Sequence, residues 1–227
     1  MREQSAQKLS KPTNEKWSLN ALPSFDDLPF NARPDLTPYL IHLTKNTDTE
    51  DSYSAYENLV SILKTGEIWG SGKKKGFIKG KRKATCFMDV PFASLKYVLT
   101  PENSDPQKPR YEPYGVAVTK RFAYPKGCRP VLYLSNEELS KFELPEDELW
   151  RVVRFEVSKS GWTSWLHERE WRSPDSFKLP NTIQAAFVRN TNEATSLMKM
   201  IQQEPEEFKC KPRSIIPMTV LCQGLLT

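Results

Sequence analysis

The chain is short of several features that mark common function classes. No apolar run approaches the roughly 18 residues that a membrane span needs. The leading MREQSAQKLSKPTNEKW has no apolar core of the kind a signal peptide carries. A cytoplasmic protein that does not engage a membrane is the expectation. Cysteine is sparse: Cys86, Cys128, Cys210 and Cys222 are scattered and form no CxxC pair. That spacing argues against structural zinc and fits reduced thiols, so no metal is expected. Neither GxGxxG nor GxxxxGKS/T occurs, which removes the dinucleotide fingerprint and the nucleotide P-loop; GSGKKKG shares only the composition of a phosphate loop. No segment repeats with a period of 20–50 residues, so a solenoid is excluded. Glycine, at 9 residues, is outnumbered by proline at 18, which points to rigid connections rather than flexible linkers.

What is present suits a soluble globular protein. Of 227 residues, 38% are hydrophobic, 11% aromatic and 27% charged. The net charge is +5, but it is concentrated. Lys73, Lys74, Lys75, Lys79, Lys81, Arg82 and Lys83 fall within eleven residues that hold no acid, and the rest of the chain has 26 basic against 28 acidic residues. A mildly acidic body with one basic loop is not a general nucleic-acid coat. It is compatible with one local phosphate or nucleic-acid contact. Repulsion among these charges, and the glycines between them, predict a loop that adds little to folding.

Residues 1–37 lack helical or strand periodicity. They read as an extended or partly disordered arm carrying Trp17, Phe25 and Phe30, with a single domain over 38–227. YLIHLT is short, apolar and β-rich, predicting a core strand that places His42 centrally in a sheet. SYSAYENLVSILKTG has helical spacing and stops at Gly66. ATCFMDV reads as a strand and PFASLKYVL as a helix with Pro91 in its first turn. YGVAVTK, RPVLYL, WRVVRFEV and TIQAAFVR read as strands, NEATSLMKMIQQ as a helix, and SIIPMTVLC as a final strand or pair. Strands cluster without strict βαβ alternation, so the fold class is α+β, with mixed, mostly antiparallel sheets and flanking helices.

Two places can carry chemistry. On a strand, His42 and Thr44 share a face, and such a polar pair in an apolar run needs partners. If LHEREWR is extended, Glu168, Glu170 and Arg172 also share a face. Two carboxylates there repel unless a cation, a proton or a ligand intervenes. Trp162, Trp165 and Trp171 load that segment with apolar surface and draw it toward burial. CFMDVP offers Asp89 at a strand end, and YEPYG offers Tyr111 and Tyr114 at a loop-to-strand junction. Asp89, Glu168 and Glu170 do not clearly make the carboxylate cluster that a metal-dependent nuclease uses.

The order LIHLT, AYENLVSILKTGEIWGSG, a Gly/Lys segment, CFMDVP, YGVAVTK with RPVLY, WRVVRFE and HEREWR resembles bacterial abortive-infection and phage-resistance proteins of the AbiGi-like and DUF2971-like kind. The resemblance covers about Tyr39 to Val188. A strand with His-x-Thr, a helix ending IL-x-x-G and a late strand with Glu also resembles the ADP-ribosyltransferase fold. That resemblance implies NAD as the bound dinucleotide. It implies that His42, with Thr44, orients NAD, that a middle aromatic stacks on nicotinamide, and that Glu170 supports an oxocarbenium-like transition state. Glu168 is then the first acid of an E-x-E pair. Phe87, Tyr114 and Tyr133 are all candidates for the middle aromatic. Two functions follow as expectations. One is an NAD-dependent ADP-ribosyltransferase-like defence or toxin protein that modifies a nucleic acid or protein. The other is a non-catalytic module that binds nucleic acid, a phage component or a protein partner of a defence system.

Overall fold

The computed structural model describes residues 33–47, 53–72, 78–104, 109–159 and 161–223. The segment 1–32, with Trp17, Phe25 and Phe30, lies outside the described residues, as do Lys73, Lys74 and Lys75. The chain begins with β1 (Tyr39–Leu43), α1 (Ala55–Thr65), β2 (Glu67–Ile68) and β3 (Ala84–Phe87). Next come β4 (Gly115–Thr119), α2 (Lys120–Ala123), β5 (Arg129–Pro130), β6 (Leu132–Leu134) and α3 (Asn136–Lys141). After them lie β7 (Val152–Arg154), β8 (Glu156–Ser158), β9 (Gly161–Thr163), β10 (Trp171–Pro174) and β11 (Phe177–Lys178). The chain closes with β12 (Thr182–Ile183), β13 (Ala185–Val188), α4 (Thr191–Gln203), β14 (Lys211–Pro212), β15 (Ile215–Pro217) and α5 (Met218–Leu221).

Alternation along the strands explains the core. In the four-stranded sheet β1-β4-β13-β15, Leu40, Val116, Val118, Ala186 and Val188 point to one face. They pack on Leu59 and Leu63 of α1 and Leu197 of α4. Ile41, Ala117, Ala185 and Phe187 point to the other face and pack on Leu95, Leu99 and Met218. Both faces are covered, so the strands read as nearly continuous apolar runs. Each fully buried Leu or Phe contributes about 1.5–3 kcal/mol. Helix α1 begins with a capping box, in which Ser54 Oγ accepts the Glu57 N–H and Glu57 accepts the Ser54 N–H at 2.7 Å. It ends where Gly66, at φ 67°, turns left-handed.

The α+β class holds, and six of the nine strand pairs among the described residues are antiparallel. Several details differ from the sequence reading. Strand β1 is not central: among the described residues it is the edge of its sheet, hydrogen-bonded along its length only to β4. A second sheet, β3-β10-β5, is stitched to that edge by one antiparallel bridge between Ile41 and Met88. RPVLYL divides, because Arg129–Pro130 pairs with β10 while Leu132–Leu134 turns away to pair with β7. PFASLKYVL forms a 3-10 helix over Phe92–Tyr97, a six-residue piece with no side-chain cap. SIIPMTVLC is half helical, since Pro217 ends β15 and precedes the first turn of α5.

Candidate functional site

The stitch between the sheets places His42. Ile41 and Met88 exchange backbone hydrogen bonds of 2.9 and 2.7 Å, which draws β1 against the end of β3. One residue along, His42 Nδ1 lies 2.8 Å from the Cys86 carbonyl oxygen. A carbonyl only accepts, so Nδ1 carries the proton and Nε2 keeps its lone pair. The ring is half-buried and meets Phe87 edge-on at 5.9 Å. Burial pushes the imidazole pKa below its usual value, against the opposing pull of the Cys86 carbonyl, so the ring is neutral near pH 7. On the other side of β1, Gly115 lets β4 approach: a Cβ there would sit 2.2 Å from the His42 carbonyl oxygen. No side chain fits at 115 without moving His42.

Cys86 also faces the acid. In the register of β3 and β10 it lies opposite Arg172, the partner of Glu170, so its thiol sits in the field of that ion pair. Burial, followed by the Glu170 charge, pushes the thiol pKa far up, so Cys86 stays protonated and is no nucleophile. Glu170 is 6% exposed and Arg172 is 3% exposed. Arg172 Nε donates to Glu170 Oε1 at 2.7 Å, and its second nitrogen reaches Oε2 at 3.3 Å. The third donates to the carbonyls of Trp150 and Val152 at 2.8 and 3.3 Å. The Glu170 N–H donates to the Tyr133 hydroxyl at 3.0 Å, and the Glu170 carbonyl accepts from Val131 N–H at 3.1 Å. Burial pushes the Tyr133 phenol up to about 12. Of the three aromatics suggested by sequence, Tyr133 is the one in contact with Glu170.

Glu168 does not share the extended face that alternation predicted. Leu166–Glu168 is a 3-10 turn, and Arg169 follows at φ 47°. A non-glycine residue in that left-handed region is uncommon and must be held there. Arg169 is held by its own side chain, which donates to the Asp35 carbonyl at 2.5 Å and lies 3.5 Å from Asp89 Oδ1. Asp89 is 7% exposed and anchors the segment further. Its Oδ2 accepts from Lys120 at 2.7 Å and from Trp171 Nε1 at 3.2 Å, and its N–H donates to the Glu168 carbonyl at 3.1 Å. Asp89 is therefore the post around which Glu168 to Trp171 is wound.

The turn sends the Glu168 side chain to Tyr111, whose hydroxyl donates to Glu168 Oε1 and lies 3.4 Å from His167 Nε2. Burial pushes the half-buried Glu168 carboxyl above its usual value and the nearby Glu170 charge adds to this, while the Tyr111 hydrogen bond works against it. The sequence marks Tyr111 only as a residue of a loop-to-strand junction. Its bond to Glu168 bridges 57 positions, and no local pattern marks it.

The other sequence candidates lie apart from this patch or are engaged in the fold. Thr44 is buried, and its hydroxyl donates to the Ala55 carbonyl at 2.7 Å, tying β1 to the start of α1. Phe87 is 2% exposed and packs on Phe177. Tyr114 is 7% exposed, and its hydroxyl meets Glu193 and Arg189. In the basic loop, Lys81 pairs with Glu146 at 2.9 Å, Arg82 with Asp175 at 2.6 Å, and Lys79 donates to Asn136 at 3.2 Å. Ile78 is buried beside Trp150. The described half of the loop is thus tied to the body, and no such ties were expected for it.

What gathers around Cys86 is a neutral imidazole with a free acceptor nitrogen, a buried carboxylate and a phenol. This donor set suits a sugar that carries hydroxyls and develops positive charge. Among the described residues no three His, Cys, Asp or Glu side chains are placed to hold a metal ion. No described helix is long and apolar enough to cross a membrane.

Among solved structures, the chain is similar to Thermus sp. 2.9 DarT in complex with NAD+, with a TM-score of 0.42 and 14% identity over 79% of this chain and 95% of that one. It is also similar to the same protein in complex with carba-NAD+, with a TM-score of 0.40 and 15% identity over the same shares. No family model matches the chain. No curated protein matches it either.

Proposed function

We propose that this protein is an NAD-dependent, ADP-ribosyltransferase-like enzyme of anti-phage defence or toxin type, acting on a nucleic acid or protein. The observation that carries the reading is that His42 and Glu170, about 130 residues apart in the chain, are brought to the same end of β3: His42 Nδ1 meets the Cys86 carbonyl, and Cys86 lies opposite Arg172, the partner of Glu170. NAD bound there would supply the glycosidic bond between a ribose carbon and the nicotinamide nitrogen. His42 Nε2 accepts a hydrogen bond from a ribose hydroxyl, and its neutrality leaves that lone pair available. Glu170 faces the positive charge that develops on the ribose as nicotinamide leaves with the bonding electrons. Tyr133 fixes the Glu170 backbone and so the direction of its carboxylate. Glu168 takes the proton that the attacking nucleophile loses. The basic loop contributes a phosphate contact.

One observation favours the second reading, a non-catalytic module that binds nucleic acid, a phage component or a partner protein. Glu170 is already paired with Arg172, and a buried pair of this kind is also found as plain structure. Nicotinamide release from NAD by the wild-type chain and by Glu170→Gln separates the two, measured at a temperature where both are folded. The enzyme reading expects a fall of about 100-fold or more on losing one electrostatic stabiliser. Wild-type protein that neither binds nor cleaves NAD, with or without nucleic acid, establishes the binding module instead.

A further inference from the structure

Glu168, Tyr111 and His167 form a chain of three groups leading from the buried acid pair to the surface. Glu168 is half-buried, Tyr111 is 5% exposed, and His167 is exposed. The Tyr111 hydroxyl touches both neighbours, Oε1 of Glu168 and Nε2 of His167, the latter at 3.4 Å. We propose that Tyr111 and His167 are a proton path that carries to solvent the proton Glu168 takes from the attacking nucleophile. This rests on the enzyme reading above.

The steps balance without any further reactant. The nucleophile's O–H or N–H bond breaks as its atom bonds the ribose carbon, and the proton goes to a Glu168 oxygen. Glu168, now neutral, donates to the Tyr111 oxygen while the Tyr111 proton passes to His167 Nε2. The Tyr111 O–H, which points at Glu168 while that acid is ionised, turns to Nε2 of His167 in its Nδ1-protonated tautomer; the ring becomes an imidazolium, releases the Nδ1 proton to water, and regains its starting tautomer by exchange with water. Tyr111 begins and ends protonated. Its burial and the Glu168 charge both raise its pKa, so a free phenolate is avoided throughout.

The surroundings favour outward transfer. Arg110 lies over the Trp165 ring at 4.3 Å and over the Tyr111 ring at 5.7 Å, and Lys45 lies over Tyr111 at 5.8 Å. Burial and then the Arg110 charge push the His167 pKa below its usual value, so the ring returns quickly to its neutral, accepting form. Burial, with the nearby Glu170 charge added to it, keeps Glu168 basic. Without the path, a proton on Glu168 would have to return through the occupied site.

The test uses the full chain, NAD and water as the nucleophile, with hydrolysis followed by nicotinamide release. His167→Ala, at an exposed position, should slow turnover by roughly 10-fold, and free imidazole should restore it in proportion to its neutral form. Tyr111→Phe should be slowed at least as much and should gain nothing from imidazole, because its path is cut one step earlier. Full activity in His167→Ala without imidazole overturns the proposal. So does a slow His167→Ala that imidazole fails to restore. Wild-type protein that cleaves no NAD retires the enzyme reading, and the path with it. An active wild type with an indifferent His167→Ala retires the path alone.

Discussion

Two glutamates two residues apart end in opposite circumstances. Glu170, at the foot of β10, is 6% exposed and faces a guanidinium at 2.7 Å. Glu168, at the end of a 3-10 turn, is half-buried and faces a phenol. The divergence comes from Arg169, whose left-handed backbone turns one side chain toward Arg172 and the other toward Tyr111. The partner therefore decides what each buried acid can do. Arg172 holds Glu170 in a two-pronged ion pair, whereas burial, only partly offset by the Tyr111 hydroxyl, leaves Glu168 with a raised proton affinity, able to take up and release a proton.

The comparison breaks most visibly at Glu170. Glu170→Gln leaves the Arg172 guanidinium buried without its counter-charge, and the chain should lose about 3–5 kcal/mol, read from the urea midpoint. The double change Glu170→Gln with Arg172→Met should recover most of that loss, because an apolar side chain of similar length needs no counter-charge. Nicotinamide release should nevertheless stay at the level of the single variant. A double variant no more stable than the single one would show that the pair is not what the substitution damaged.

His42 sharpens the comparison by adding a base whose proton affinity is lowered. Its folded pKa lies below the unfolded value of 6.5, so the unfolded chain binds the proton more readily. Its contribution is complete above pH 6.5 and is lost as pH falls from there through the folded value. The melting temperature of wild type should fall over that window, and His42→Gln should remove that part of the slope. Equal slopes in the two proteins would contradict a neutral, half-buried imidazole.

Glu168 should give the smallest effect, of opposite sign to that at Glu170. Its folded pKa is above the usual 4.5, so its ionised form costs stability above that range and nothing below it. Glu168→Gln should therefore match wild type at pH 4 and become slightly the more stable of the two as pH rises, by less than about 1 kcal/mol. A Gln variant that is less stable at pH 7 would mean that the carboxylate is held by more than Tyr111.

Local pattern was enough to read β1, α1, β4 and β13, because their apolar spacing is set by the faces they bury. It also picked out His42 and the Glu168–Glu170 pair, since polar residues inside apolar or tryptophan-rich runs are conspicuous. It could not place β1 at an edge, because alternation reports burial of faces and not which strand lies beside it. It treated LHEREWR as extended, because nothing in the sequence shows that Arg169 will reach Asp35, more than 130 residues earlier. It left Phe87, Tyr114 and Tyr133 equivalent, because the hydrogen bond that sets Tyr133 beside Glu170 spans 37 positions and no local pattern marks it. The basic loop was read by charge alone, and Glu146 and Asp175, which tie it down, come from distant segments.

The single bridge between Ile41 and Met88 has a further use as a gauge. A ladder of many rungs shares its load, so no one amide reports its opening; an isolated bridge has two amides and no neighbours to mask them. Any widening between the strand of His42 and the strand of Cys86 must break those two bonds together with the His42 Nδ1 bond to the Cys86 carbonyl. Deuterium uptake at the amides of Ile41 and Met88 therefore measures how often the two sheets part, and occupancy between the sheets registers there as protection, even for an occupant whose chemistry is unknown.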